Sequence, residues 1–221
     1  MKNKHITIYA LILLSLVVTA VFLLFMPEKV PMHYNGAGEI DRFGSKYESL
    51  LFPVVTALMG MFFVGMAKYQ SKKKEYGNEK VLVISGIAVL IFFNLMFAYF
   101  LYKAAVYSPD AAVTFDITGN YKLISIGLGA LVCVLGNIMP KSRLNSLVGL
   151  RTVWSMKNDR VWQKSQRFGG ISMVLCGILI IIANLFINGI ACIFVTLGLL
   201  MIDAIISVFV SYIIYKNDSD R

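Results

Sequence analysis

The sequence predicts an all-α polytopic membrane protein with six transmembrane helices, and three observations predict it. Of 221 residues, 58% are hydrophobic and only 15% charged, with a mean hydropathy of +0.73. A soluble domain carries about a quarter charged residues. The apolar residues are gathered into six runs, and roughly 20 such residues suffice to cross the hydrocarbon. Lys and Arg fall in the polar intervals between those runs, and unevenly. Inside a bilayer only a helix satisfies its own backbone segment by segment, so each run is predicted to be a helix.

The first run, 6–26, follows Lys2 and Lys4 and begins like a signal peptide. It outlasts the about 7–15 apolar residues of such a peptide, continuing past Val18-Thr19-Ala20 to Phe25. It is expected to stay as the first span. The others are expected over 50–67, 81–102, 123–139, 170–187 and 190–215, with Asn188-Gly189 as a tight turn between the last two. The chain divides into an N-terminal helix pair with a motif-bearing loop (1–67), a second helix pair with a basic loop (68–135), and a central polar stretch with a C-terminal helix hairpin (136–221).

Charge orients these spans. The N-terminus, the 68–80 loop, the central stretch and the tail hold sixteen Lys and Arg, and the opposite intervals hold five. By the positive-inside rule both termini and the central stretch are cytoplasmic, and the 26–49 and 103–122 loops lie outside. The net charge of +9 could suggest nucleic acid, but that needs a soluble basic face or a reading module. No direct nucleic-acid binding is expected. Cys133, Cys176 and Cys192 lie in apolar runs without metal-ligand spacing, and His5 and His33 stand far apart, so no metal or cofactor is expected. No catalytic motif appears, and the protein is not expected to be an enzyme.

The central stretch, 136–170, holds both tryptophans, Trp154 and Trp162, and seven basic residues against the single acid Asp159. Ser155, Asn158 and Asp159 mark a helix start. Arg160, Lys164 and Arg167 then follow at i, i+4 and i+7 with Trp162 opposite. The segment reads as an amphipathic helix in the cytoplasmic interface before the fifth span. It serves either as a lipid anchor or as a docking surface for a partner, through the aromatic and Arg anchors common at binding hot spots.

The outer loop is bracketed by Pro27, Pro31 and Pro53, and its Asn35-Gly36, Gly38 and Gly44 permit tight turns. It is expected to fold against the helices rather than hang as a tether. His33, Tyr34, Asn35, Gly36, Asp41 and Lys46 are its ligand-side candidates. Asp203 is the one acid well inside an apolar run, where a charge costs at least about 2.5 kcal/mol. It shares a helix side with Thr196, Ser207 and Ser211, with Asn184 on the preceding span. The pattern fits interhelical hydrogen bonding or a polar path in a small-solute, ion or proton-coupled transporter.

Two motifs together resemble a known family. MPEKVPMHYNGAGEIDRFGSK is similar to an extracytoplasmic signature at the N-terminus of bacterial membrane proteins. GNIMPKSRLNSLVGLRTVWSMKNDRVWQKSQRFGG resembles the signature of the SdpI immunity protein family. The matching positions are Gly136, Asn137, Lys141, Asn145, Gly149, Arg151, Thr152, Trp154, Val161, Trp162, Arg167, Gly169 and Gly170. Ser155 stands where the family often has Thr, and Gln166 where some members carry His, which argues against a His-dependent role there. The resemblance covers nearly the whole chain. It implies a six-helix bacterial plasma-membrane protein, in contact with lipid, that protects the cell from a secreted membrane-collapsing peptide toxin. It also implies capture of a cytoplasmic ArsR-like repressor at the membrane, with Asn137, Lys141, Asn145, Arg151, Thr152, Trp154, Trp162 and Arg167 as partner-docking candidates.

Overall fold

Six long helices carry the chain: α1 Ile6–Phe25, α2 Leu51–Lys72, α3 Glu79–Ala105, α4 Ile117–Ile138, α5 Asp159–Phe186 and α6 Ala191–Ser219. The computed structural model describes residues 5–35, 40–72, 78–107 and 117–219. All six helices are long and apolar enough to cross a membrane. They alternate in direction. One end of the bundle therefore gathers the start of α1, the end of α2, the start of α3, the central polar stretch and the end of α6. The other end carries residues 26–35 and 40–50 and the tight α5–α6 turn.

That turn forms at Asn188-Gly189, as its residues predict. Gly189 takes φ +67, a left-handed conformation that costs glycine little. The fifth helix departs from expectation. It starts at Asp159 and runs unbroken to Phe186, so the basic segment is its first turns and not a separate interfacial helix. Asn158 caps it, its side chain accepting from Val161 N at 2.8 Å.

The Gly169-Gly170 pair does not interrupt α5, because α4 lies against it. A Cβ placed on Gly136 would sit 2.7 Å from the Gly170 carbonyl oxygen, and one on Gly170 would sit 2.6 Å from the Gly136 oxygen. One heptad further along, Gly129 and Gly177 repeat this close approach at 2.9 and 2.5 Å. Small residues let membrane helices approach until their backbones touch, which is where packing attraction is strongest without a hydrophobic drive.

The helices form two sets, α1–α3 and α4–α6, joined mainly along α3 and α4. In the first set Ile8, Val64, Ala67, Leu82, Val83 and Leu90 make a buried cluster. Between α1 and α2 the outer segment folds into an antiparallel hairpin, β1 Lys29–Tyr34 and β2 Ile40–Ser45, with irregular register around His33. Strands were not foreseen here, although a short β-prone run followed by Asn-Gly is a hairpin signal. Val30 is fully buried, packing with Met26 and Leu101 and against Phe22 and Phe52. That contact seats the hairpin on the helix ends. A 3-10 turn, Lys46–Leu50, then feeds α2, with Ser45 and Glu48 forming a capping box.

Gly177→Leu should force α4 and α5 apart and cost roughly 1–3 kcal/mol, the usual penalty of overpacking. Gly198→Leu, at a position with nothing within 4 Å, should leave stability unchanged. Thermal unfolding of the two purified variants in detergent checks the contrast.

Candidate functional site

From Met139 to Asn158 the chain forms no α-helix, only a 3-10 turn at Met139–Lys141 and bends. Its backbone groups therefore need partners from elsewhere. Side chains supply them. Asn145 Oδ1 accepts from Leu147 N and Val148 N at 2.7 and 2.8 Å, while its Nδ2 donates to Arg143 O and Val148 O at 2.7 and 3.1 Å. Gln166, fully buried on α5, pairs its amide with one residue's backbone as a neighbouring strand would. Its Oε1 accepts from Leu150 N at 2.8 Å and its Nε2 donates to Leu150 O at 2.9 Å. Gly149, at φ +113, has no side chain because one would collide with Gln166 Oε1.

The following bend is closed by Thr152 and Ser155, each hydroxyl accepting from the other residue's N–H at 2.9 Å. Ser155 Oγ also donates to Leu150 O at 2.7 Å. Ser211 on α6 donates to Val208 O, so its 2.9 Å contact with Thr152 Oγ1 takes Thr152 as donor. Trp162 is fully buried and donates from Nε1 to Ser142 O at 2.9 Å. It is therefore a packing residue of this segment and not an anchor at the bilayer surface. Its side of α5 faces the folded 142–150 chain, which shields it.

The same segment straps the two helix sets together. Asn78, just before α3, donates to Arg143 O at 3.1 Å and accepts from Arg143 N at 2.8 Å. Val148 packs against the buried cluster of α1–α3. At the other edge, Asn158 donates to Asp218 at 3.1 Å, with Arg160 and Lys164 at 3.7 and 3.8 Å from the same carboxylate.

The other candidates of this end are exposed: Asn137, Lys141, Arg151 and Arg167. Between Arg151 and Lys157 the segment projects Val153, 89% exposed, and Met156, while Trp154 lies edge-on to Tyr212 with ring centroids 5.2 Å apart. The docking candidates thus split. Asn145, Thr152 and Trp162 hold the segment's shape, and Arg151, Trp154 and Arg167 decorate its surface.

At the opposite end His33 Nδ1 lies 2.6 Å from Asp41, Arg42 reaches Glu48 at 2.9 Å, and Lys46 reaches Glu28 at 2.9 Å. These pairs tie the hairpin to itself and to the start of α2. Tyr34 and Asn35 sit half-buried at the end of β1, and Gly36 lies outside the described residues. Burial pushes the Tyr34 phenol well above its ordinary range, and Tyr107 adds to the shift.

In the bundle, Asn184 donates to Ile180 O at 2.8 Å and to Thr196 Oγ1 at 3.1 Å. Asp203 instead accepts from Ser172 of α5. The two intramembrane candidates do not meet: Asn184 pairs at Thr196, about two turns from Asp203 along α6. Sequence reasoning missed Asn78, Ser142, Gln166 and Ser172 as partners. The spacing of Trp162, Ser165, Gln166, Gly169 and Gly170 marks one helix face that could have been read as buried.

What these arrangements define is a multi-pass membrane protein, its bundle closed by a side-chain-stapled polar segment at one end and a β-hairpin at the other. Residues 141–211 match the SdpI/YfhL protein family, and residues 10–57 match a domain of unknown function (DUF1648). The chain is 26% identical over 215 residues, 97% of each chain, to a protein described as Immunity protein SdpI from Bacillus subtilis (strain 168). No solved structure matches it. The chain is thus similar to the SdpI family over its C-terminal third, and to one immunity protein along nearly its whole length.

Asn145→Ala should orphan the Leu147 and Val148 N–H groups, at about 1–3 kcal/mol for each left buried. Faster hydrogen exchange across 143–150, with the helices still protected, is the expected reading. A second outcome follows from Tyr34. Its phenol holds its proton more tightly folded than unfolded, so its contribution is complete below pH about 10 and lost as pH rises beyond. Proteolysis of the hairpin should accelerate as the pH rises above about 10, and Tyr34→Phe should remove that part of the dependence.

Proposed function

We propose that the chain is an immunity protein that protects a bacterial cell from a secreted, membrane-active peptide toxin. The observation that carries this reading is the similarity to Immunity protein SdpI over 97% of both chains. A match of that extent takes in both ends of the bundle and all six helices. The reading is non-catalytic: protection comes from binding the toxin or denying it the bilayer.

The excess of Lys and Arg around the stapled segment supports a cytoplasmic position for it and an outside position for the hairpin. On that topology His33, Tyr34, Asn35, Gly36, Asp41 and Lys46 meet the toxin first. The Arg151, Trp154 and Arg167 surface is the place for a cytoplasmic ArsR-like repressor, since Trp and Arg dominate binding hot spots. Signalling then requires the toxin to favour one arrangement of the two helix sets over another, because a ligand shifts an equilibrium only by its differential affinity. The segment strapped across both sets, through Asn78 and Val148, would carry such a shift to its exposed tip.

Expression of the chain in a toxin-sensitive strain should restore growth over a panel of membrane-active peptide toxins, and unchanged killing by every toxin would sink the reading. An Arg151→Gln, Trp154→Ala, Arg167→Gln triple variant should keep protection but lose membrane recruitment of a fluorescently tagged repressor. Recruitment that survives the triple change would move the docking surface elsewhere.

A further inference from the structure

Along the seam between the two helix sets lies a cavity of about 500 Å³, within the roughly 300–1,000 Å³ typical of small-ligand sites. Leu82 and Ser85 of α3, Val132 and Leu135 of α4, and Leu200 of α6 line it, and Leu150 of the stapled segment closes one side. The walls are almost wholly apolar. Three polar side chains break them: Ser85 on α3, and Asp203 and Ser207, one turn apart on α6.

The two on α6 are underused. Asp203 accepts from Ser172, and among the described residues no Lys, Arg or His forms an ion pair with it. Ser207 is 5% exposed, and among the described residues its hydroxyl has no hydrogen-bond partner. An intramembrane carboxylate is costly unless a positive group or strong donors face it. A buried hydroxyl without a partner also carries a desolvation cost. On the same side of α6, Thr196 is matched by Asn184 and Ser211 by Thr152.

We propose that this cavity is a binding site for an amphiphile carrying a primary ammonium on an apolar chain. The chain fills the space between Leu82, Val132 and Leu200. The ammonium donates to the Asp203 carboxylate and, after rotation of its side chain, to Ser207 Oγ. A carboxylate-headed amphiphile would set like charges together and is rejected. A neutral hydrocarbon would leave both polar groups as they are and gains only the apolar contact. This site is separate from the hairpin and from the Arg151–Trp154 surface, so it stands or falls independently of toxin protection.

The test uses the full chain in phosphatidylcholine nanodiscs and a dodecylamine analogue with a photoreactive diazirine in its chain. Irradiation should label peptides covering 132–139 and 200–207. Unlabelled dodecylamine should compete, and dodecanoate and dodecane should not. Asp203→Asn, nearly the same shape, should weaken labelling by about tenfold or more, as expected for loss of a charge-assisted hydrogen bond. Ser85→Phe should block labelling by filling the space while leaving Asp203 in place, with thermal unfolding confirming that the variant is folded. The proposal is overturned if Asp203→Asn labels as strongly as the parent. It is equally overturned if dodecanoate competes as well as the amine, or if label spreads over lipid-facing positions such as Ile205 and Phe209.

Discussion

A stretch of irregular backbone at a membrane boundary must find partners for its N–H and C=O groups, and here side chains provide them. Asn145 holds one turn from within, Gln166 holds Leu150 from α5, and Thr152 with Ser155 closes the bend. Helices supply such bonds along their own axis, so they tolerate substitution on their surfaces. The 142–155 segment has no such reserve. Its shape depends on particular amides and hydroxyls, and this explains why Asn145, Gly149 and Thr152 occupy their positions: two fix the turn and the third leaves room for Gln166.

The close approach of α4 and α5 complements this. Paired glycines at Gly136/Gly170 and Gly129/Gly177 bring the two backbones into contact, and that rigid pair carries Gln166 and Trp162 at its end. From there the stapled segment reaches across to Asn78 and Val148's neighbours in the first helix set. The second set therefore holds the first by a strap at one end as well as along the α3–α4 seam. Between them the seam keeps a cavity, because apolar helix faces in a bilayer gain little by closing completely.

At the far end the hairpin is fastened differently. Val30 is buried among Met26, Leu101 and Phe52, and two ion pairs with the His33–Asp41 hydrogen bond brace the exposed strands. Exposed pairs of this kind add little, so the apolar seat decides where the hairpin sits and the pairs tune its surface. The result is a polar face displayed on a fixed base, suited to recognition, while the opposite end presents a small aromatic and basic tip.

The sequence by itself determined the class of architecture: six helices, the turn at Asn188-Gly189, the cap at Asn158, and the alternation of polar intervals. Hydrocarbon thickness and backbone satisfaction leave few other solutions, and both are legible in composition and run length. It also placed the polar side of α6, since helical spacing relates Thr196, Asp203, Ser207 and Ser211 directly. Only the tertiary structure decided which partner each residue has. Trp162 looks in sequence like an interfacial anchor and is buried, Asn78 and Arg143 are 65 residues apart and bonded, and Asp203 meets Ser172 and not Asn184. In a membrane protein lipid and protein interior are both apolar, so hydrophobicity cannot tell an inward face from an outward one. That distinction comes from packing alone.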